Sequence, residues 1–248
     1  MSTQMHVIKK AVLISCGSFN PPTIMHLRLF ELARDHLSGC GYDVLGGMMS
    51  PTHDNYKKAS LIKSKHRIKM VDLALSNYDF VKCSKWETAQ EGWTRTRQVL
   101  EQHLEQIHKV VKAPNTEFHN FPHLPESIKG LSTDQVINTK LFRLFFICGG
   151  DLLESFSVPK LWKNEDIEAI VKNYGLVVIT REGSNSEQYV EKHPILNIYK
   201  DNIYIVREKI TNDISSTRIR EAVKREASIK FFVLDPVIQY INDNNLYR

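Results

Sequence analysis

Residues 11–16 (AVLISC) form an unbroken apolar run, rich in branched side chains and closed by Gly17, which is the pattern of a strand buried on both faces. After Pro21 and Pro22, Leu27, Phe30, Ala33 or Arg34, and Leu37 recur at helical spacing over 23–37, so a helix follows the glycine turn. The alternation continues. It predicts a strand over 42–50, a helix over 64–76 with Ile68, Val71 and Leu75 on one side, a short strand at 80–82 and a helix over 94–111. In that last helix Val99, Leu100, His103, Leu104, Ile107 and Val111 make an apolar stripe suited to a core. Between residues 112 and 139 the alternation lapses. Pro114, Pro122, Pro125 and Gly130 stand among polar residues there, which reads as a surface insertion or mobile loop.

A second apolar run, 141–148 (LFRLFFIC), ends in Gly149 and Gly150 much as the first ended in Gly17. Helices are expected over 151–156 and 164–173, strands over 176–180 and 202–206, and closing helices over 215–226 and 236–244. Strands alternating with helices imply a single α/β domain spanning 1–248: a Rossmann-like, doubly wound, mostly parallel sheet with helices on both faces. In such sheets ligands bind beyond the carboxyl ends of the strands, where the strand order reverses. Both glycine turns belong at that edge.

Composition narrows the function classes. With 42% hydrophobic residues over 248 positions the chain can bury a substantial core, and 33 Lys and Arg against 28 Asp and Glu give a charge of +5. That excess suits anionic ligands but is too small to argue for nucleic acid. No apolar run approaches the roughly 18 residues of a membrane span, and residues 1–10 lack the hydrophobic core of a secretory signal, so an intracellular protein, cytoplasmic or nuclear, is expected. Cys16, Cys40, Cys83 and Cys148 are widely spaced without a CxxC pair, and no HExxH occurs, which disfavours a disulfide framework or a zinc site.

Candidate chemistry begins at the first turn, GSFNPPTIMH (17–26). A helix start offers unpaired N–H donors and about half a positive charge, a ready site for phosphate. Thr23 and His26, three apart in the first turn, can aim a hydroxyl and an imidazole at one anion. Near the other end, Ser215, Ser216 and Thr217 open a helix with hydroxyls and free amides. Arg220 lies three residues past Thr217 and extends a five-donor fork over the same face. A capped helix with a solvated arginine is common. Two such anion-binding starts in one α/β chain are much less so.

These residues carry a resemblance. GSFNPPTIMH is similar to the GxFxPxTxxH signature of the nucleotidylyltransferase superfamily, whose members include nicotinamide mononucleotide adenylyltransferases and class I aminoacyl-tRNA ligases. Many members carry glycine where Met25 stands, and methionine there resembles the eukaryotic pyridine-nucleotide enzymes. ISSTRIR (214–220) is similar to the ISSTxxR element of the adenylyltransferases, and no KMSKS-like loop stands in its place. The resemblance runs over about 10–247, outside 112–139, and is to the animal nicotinamide/nicotinate mononucleotide adenylyltransferases. It takes in Ser50-Pro51 with Tyr56-Lys57-Lys58, Trp86-Glu87 with Trp93 and Thr96, residues 148–156 (CGGDLLESF), Leu161-Trp162-Lys163, Arg181 and Asn212-Asp213.

The resemblance implies that ATP and nicotinamide mononucleotide, or nicotinate mononucleotide, are joined to give NAD or deamido-NAD and pyrophosphate, without a protein nucleophile. His26 and Arg220 are then the catalytic candidates. Gly17, Ser18, Phe19, Thr23, His26, Lys58, Gly149, Ser216, Thr217, Arg218, Ile219 and Arg220 would hold ATP. Gly17, Ser18, Trp93, Thr96, Asp151, Leu161, Trp162, Arg181 and Asn212 would hold the mononucleotide, with the two indoles flanking its pyridine ring. Magnesium is expected with ATP, held through phosphate oxygens and water rather than by an all-protein site. A homo-oligomer is expected on the same grounds. The competing readings are an adenylyl- or cytidylyltransferase for another phosphate-bearing acceptor, such as a flavin or pantetheine phosphate, and a chaperone-like protein that binds protein clients.

Overall fold

The computed structural model describes residues 8–56, 58–181, 184–210 and 212–248. Six strands, β1 (Lys9–Gly17), β2 (Tyr42–Pro51), β3 (Val81–Cys83), β4 (Phe142–Gly149), β5 (Gly175–Thr180) and β6 (Ile203–Arg207), form one sheet in the order β3-β2-β1-β4-β5-β6. Each neighbouring pair is parallel, so the sheet is wholly rather than mostly parallel. Ten α-helices accompany it among the described residues: α1 (Ile24–Gly39), α2 (Ser64–Ala74), α3 (Thr96–Lys112), α4 (Pro114–Glu117), α5 (Thr133–Ile137), α6 (Gly150–Ser155), α7 (Asn164–Asn173), α8 (Ser186–Lys192), α9 (Ser216–Lys224) and α10 (Asp235–Asp243). None of the helices is long and apolar enough to cross a membrane.

Alternation along each strand divides the core. Val12, Ile14, Met48, Leu144, Phe146, Leu176 and Val178 meet α3 and α7 on one face. Ala11, Leu13, Met49, Phe145, Ile147 and Val177 meet α1 on the other. Both faces of β1 and β4 are therefore covered, which is why these strands are continuous apolar runs in the sequence. Each fully buried Leu, Ile or Val contributes roughly 1.5–3 kcal/mol. A third cluster lies outside the sheet: Met70 and Ala74 of α2 pack against Ile219 of α9 and Val237 and Ile241 of α10. This contact returns the C-terminal helices to the vicinity of the first turn.

Residues 112–139 correct the expectation of a surface insertion or loop. They carry α4, α5 and two 3₁₀ turns, Phe118–Asn120 and Glu126–Gly130. Leu124, Ile128, Leu131 and Val136 are buried in the same cluster as Val12 and Phe146. One buried apolar side chain per short turn leaves no periodicity for sequence reasoning to detect. In α2 the buried side is Arg67, Met70, Val71 and Ala74, so a charged residue takes the inward place expected of Ile68.

Candidate active site

β1 and β4 are neighbours, and the chain leaves them toward opposite edges of the sheet, so their carboxyl ends open the crevice at the reversal of strand order. Gly17 ends β1 and Gly149 ends β4. A Cβ on Gly17 would lie 3.2 Å from the Phe19 ring, so the glycine leaves room for that buried phenyl. Phe19 holds a left-handed φ of 44° and packs edge-on against His26 at 5.2 Å. What Phe19 presents to a ligand is therefore its backbone. A Cβ on Gly149 would lie 2.7 Å from Asp151 Oδ1, so the carboxylate folds back over that glycine.

The partly buried His26 has a defined polarity. Thr23 N–H donates to its Nδ1 at 2.9 Å, and Thr23 Oγ1 lies at 2.9 Å from the same nitrogen. With Nδ1 accepting, the proton of the neutral ring sits on Nε2, which has no partner among the described residues. Burial lowers the His26 pKa from 6.5 to about 4; the Asp151 carboxylate opposes that shift and Lys58 adds to it. Because the folded value lies below the unfolded one, this residue costs stability as pH falls from 6.5 toward 4 and costs none above 6.5. An NMR titration of the free protein is expected to show the His26 ring still neutral at pH 6.5 and protonating near 4, whereas a midpoint at 6.5 would mean a solvated ring.

The second candidate helix start joins the first. Ser216 Oγ donates to Pro21 O at 2.8 Å, and Arg220 Nη1 donates to Asn20 O at 2.9 Å. Arg220 Nη2 also reaches Thr217 Oγ1 at 3.3 Å. The N-cap hydroxyl of Ser215 accepts from Arg218 N–H at 3.3 Å. Thus α9 is seated on the main chain of the loop that ends at Thr23. Lys58 completes this side, its Nζ donating to Ser18 Oγ at 3.1 Å. Ile219 points its side chain into the third cluster, and its N–H is spent on Ser215 O at 3.0 Å, so it anchors α9 and offers no free main-chain donor to a ligand.

Arg181 and Asn212 also lie at the start of α9. Arg181 donates to Asp213 Oδ1 and Ile214 O, both at 3.4 Å, and Arg218 donates to Asp213 Oδ2 at 3.0 Å. Asn212 Nδ2 donates to Met25 Sδ at 3.0 Å, so the methionine that replaces the usual glycine is used to tie the two ends of the chain together. Trp93 is 44% exposed and stacks on Tyr56 at 6.1 Å. Trp162 donates from Nε1 to Ser155 Oγ at 3.0 Å, and Leu161 beside it is exposed. Thr96 opens α3. Lys57 lies outside the described residues.

Two supports have no role assigned from the sequence: Arg67, and Glu87, which stands there only within the resembling Trp86-Glu87 stretch. Arg67, wholly buried, donates to Ile62 O at 2.9 Å, Ser18 O at 3.0 Å, Thr52 O at 2.6 Å and Asp54 Oδ1 at 3.0 Å. Glu87 accepts from Thr52 Oγ1 at 2.8 Å and Ser50 Oγ at 3.2 Å, and burial lifts its pKa to about 7. Thr52 N–H in turn donates to Gly17 O at 2.9 Å, so both supports bear on the first turn. An open groove of about 720 Å³ between α1, α2 and residues 231–236 contains none of the candidate site residues.

Residues 14–222 match the cytidylyltransferase-like family. The chain is 41% identical over 249 residues to nicotinamide/nicotinic acid mononucleotide adenylyltransferase 1 of Bos taurus, covering 96% of this chain and 89% of that one. It is 42% identical over 238 residues to nicotinamide/nicotinic acid mononucleotide adenylyltransferase of Oryza sativa subsp. japonica, covering 96% and 86%. Its fold is shared with Plasmodium falciparum nicotinic acid mononucleotide adenylyltransferase complexed with NaAD, at a TM-score of 0.60 and 20% identity over 96% of this chain and 98% of the other. A wholly parallel sheet with its two candidate helix starts joined, together with this likeness over nearly the whole length, establishes that the chain belongs to the nicotinamide/nicotinic acid mononucleotide adenylyltransferases.

Proposed function

We infer that this chain joins ATP to nicotinamide mononucleotide, and to nicotinate mononucleotide, giving NAD or deamido-NAD and pyrophosphate. The observation that carries this reading is the seating of α9 on Asn20 and Pro21, which brings Arg220 and the amides of α9 to the loop that orients His26. A 5'-phosphate oxygen of the mononucleotide attacks the α-phosphorus of ATP. The new O–P bond forms as the bond to the β-phosphate bridging oxygen breaks, and pyrophosphate leaves with that electron pair. No protein atom enters a covalent bond, so the protein acts by positioning and by offsetting charge.

In this reading His26 Nε2–H donates to the reacting phosphate, while the start of α9, Thr217 and Arg220 hold the β- and γ-groups. Lys58 is placed by Ser18 to offset further charge. Asp151, folded over Gly149, can accept ribose hydroxyls. Magnesium would be held mainly through the oxygens of the triphosphate and water, where it supplies countercharge. Trp93 and Trp162 offer flat indole faces to the cationic pyridine ring.

The test is incubation with ATP, magnesium and each mononucleotide in turn, with release of pyrophosphate measured. Release with either mononucleotide is expected. Silence with both, but turnover with another phosphate-bearing acceptor, would overturn the reading. In the same assay Trp93→Ala is expected to raise the mononucleotide KM about 10-fold or more, as for loss of a desolvated cation–π contact of about 2 kcal/mol, with the ATP KM little changed. Equal rises in both would remove Trp93 from the pyridine site.

A further inference from the structure

Trp93 and Trp162 sit on separate stretches of chain, one just ahead of α3 and the other just ahead of α7. Trp162 is fixed locally, by its bond to Ser155 and by edge-on packing against Phe156 at 4.9 Å. Among the described residues the one aromatic ring against Trp93 is Tyr56, stacked at an interplanar angle of 27°. In the same loop Thr94 Oγ1 is buried without a hydrogen-bond partner among the described residues.

The two stretches are joined through Asp166, in the first turn of α7. Arg95 Nη1 donates to Asp166 Oδ2 at 2.8 Å, and Arg97 Nη1 stands 3.8 Å from Oδ1. The Asp166 side chain is 11% exposed against 39% for each arginine. A covered carboxylate with a cation on each oxygen holds its geometry better than a solvated surface pair. Its place in a first helical turn also suits the dipole of α7. Arg95 lies two residues after Trp93, and Asp166 four after Trp162, so the pair spans the gap between the indole-bearing stretches.

We propose that the Arg95–Asp166 ion pair is a positioning element that fixes the spacing of the Trp93 and Trp162 stretches and so governs mononucleotide binding. The proposal rests on the reading that those two indoles receive the pyridine ring. Arg95 and Asp166 touch no reacting atom and act through the tryptophans.

The test measures kcat and both KM values for the wild type, Arg95→Gln, Arg95→Lys, Asp166→Asn and Trp93→Ala, alongside thermal unfolding. Arg95→Gln and Asp166→Asn are expected to raise the mononucleotide KM about 10-fold while leaving the ATP KM and kcat within about twofold, because misplacement of one subsite is felt there first. Arg95→Lys keeps the charge and is expected to recover most of the affinity. Parallel rises in both KM values would overturn the proposal. So would an unchanged mononucleotide KM in Arg95→Gln while Trp93→Ala raises it, an outcome that leaves the assignment of the indoles standing. If Trp93→Ala is also without effect, that assignment fails and the proposal with it. Should Asp166→Asn fail to fold, the half-exposed Arg95 decides the matter alone.

Discussion

Replacing His26 with alanine is expected to lower turnover by about 100-fold or more, the loss found when a donor aimed at developing charge is removed. The reason lies in the ring's two nitrogens. Nδ1 is committed to Thr23 N–H at 2.9 Å, so Nε2 is left as a proton donor that needs no acid pH to be in the right state. Burial, which holds the pKa near 4, keeps the ring neutral, and a neutral donor can stabilise phosphate charge without a cation having to be buried before ATP arrives. The cost to the fold is small. His26→Ala removes one acceptor at the start of α1, a capping loss of about 1 kcal/mol, which lowers Tm by only about 2–4 °C in a chain of this size. Near-normal turnover, or a collapse of Tm, would take the reacting phosphate away from this residue.

Arg67→Met is expected to be the costliest change to the structure around the site. The methionine replaces the stem of the side chain but strands the carbonyls of Ile62, Ser18 and Thr52, and leaves Asp54 without its cation. Breaking a buried pair from one side costs about 3–5 kcal/mol, which corresponds to a fall of roughly 10 °C in Tm. Because one of the stranded groups is Ser18 O, in the first turn, kcat/KM is expected to fall about 10-fold even below the new Tm. Arg67→Lys is expected to rescue little, since three donors on one nitrogen cannot reproduce a planar fork reaching four acceptors. Calorimetry and steady-state kinetics check both effects. A Tm within 2 °C of the wild type would mean that water replaces the guanidinium at about the cost of a single surface contact.

The parts legible in the sequence are those whose causes are local. β1 and β4 are readable because strands covered on both faces need apolar side chains at every position, and α7 is found at Asn164–Asn173 because its stripe of Ile167, Ile170 and Val171 is strictly periodic. The Thr23–His26 contact is likewise local, three residues apart on one helical turn. Other features arise only when distant segments meet. Arg67 is inward because carbonyls 5, 15 and 49 residues away converge on it, and no pattern within α2 announces that. Asp166 and Arg95 are 71 residues apart. The short α8 and the 3₁₀ turns Leu196–Asn202 have too few turns to show a period, and residues 112–139 bury their apolar side chains one by one between prolines. The joining of the two ends of the chain through Asn212, Met25, Ser216 and Arg220 could be anticipated as a function of both motifs, but its contacts could not.

All of this depends on one triphosphate being held by both helix starts at once, and a crystal structure of the protein with a non-hydrolysable ATP analogue tests that directly. His26 Nε2 is expected within hydrogen-bond distance of the reacting phosphate, and Arg220 with the first amides of α9 on the two outer groups of the same chain of phosphates. A triphosphate that lies against one helix start alone, or in the groove beyond α1, would contradict it.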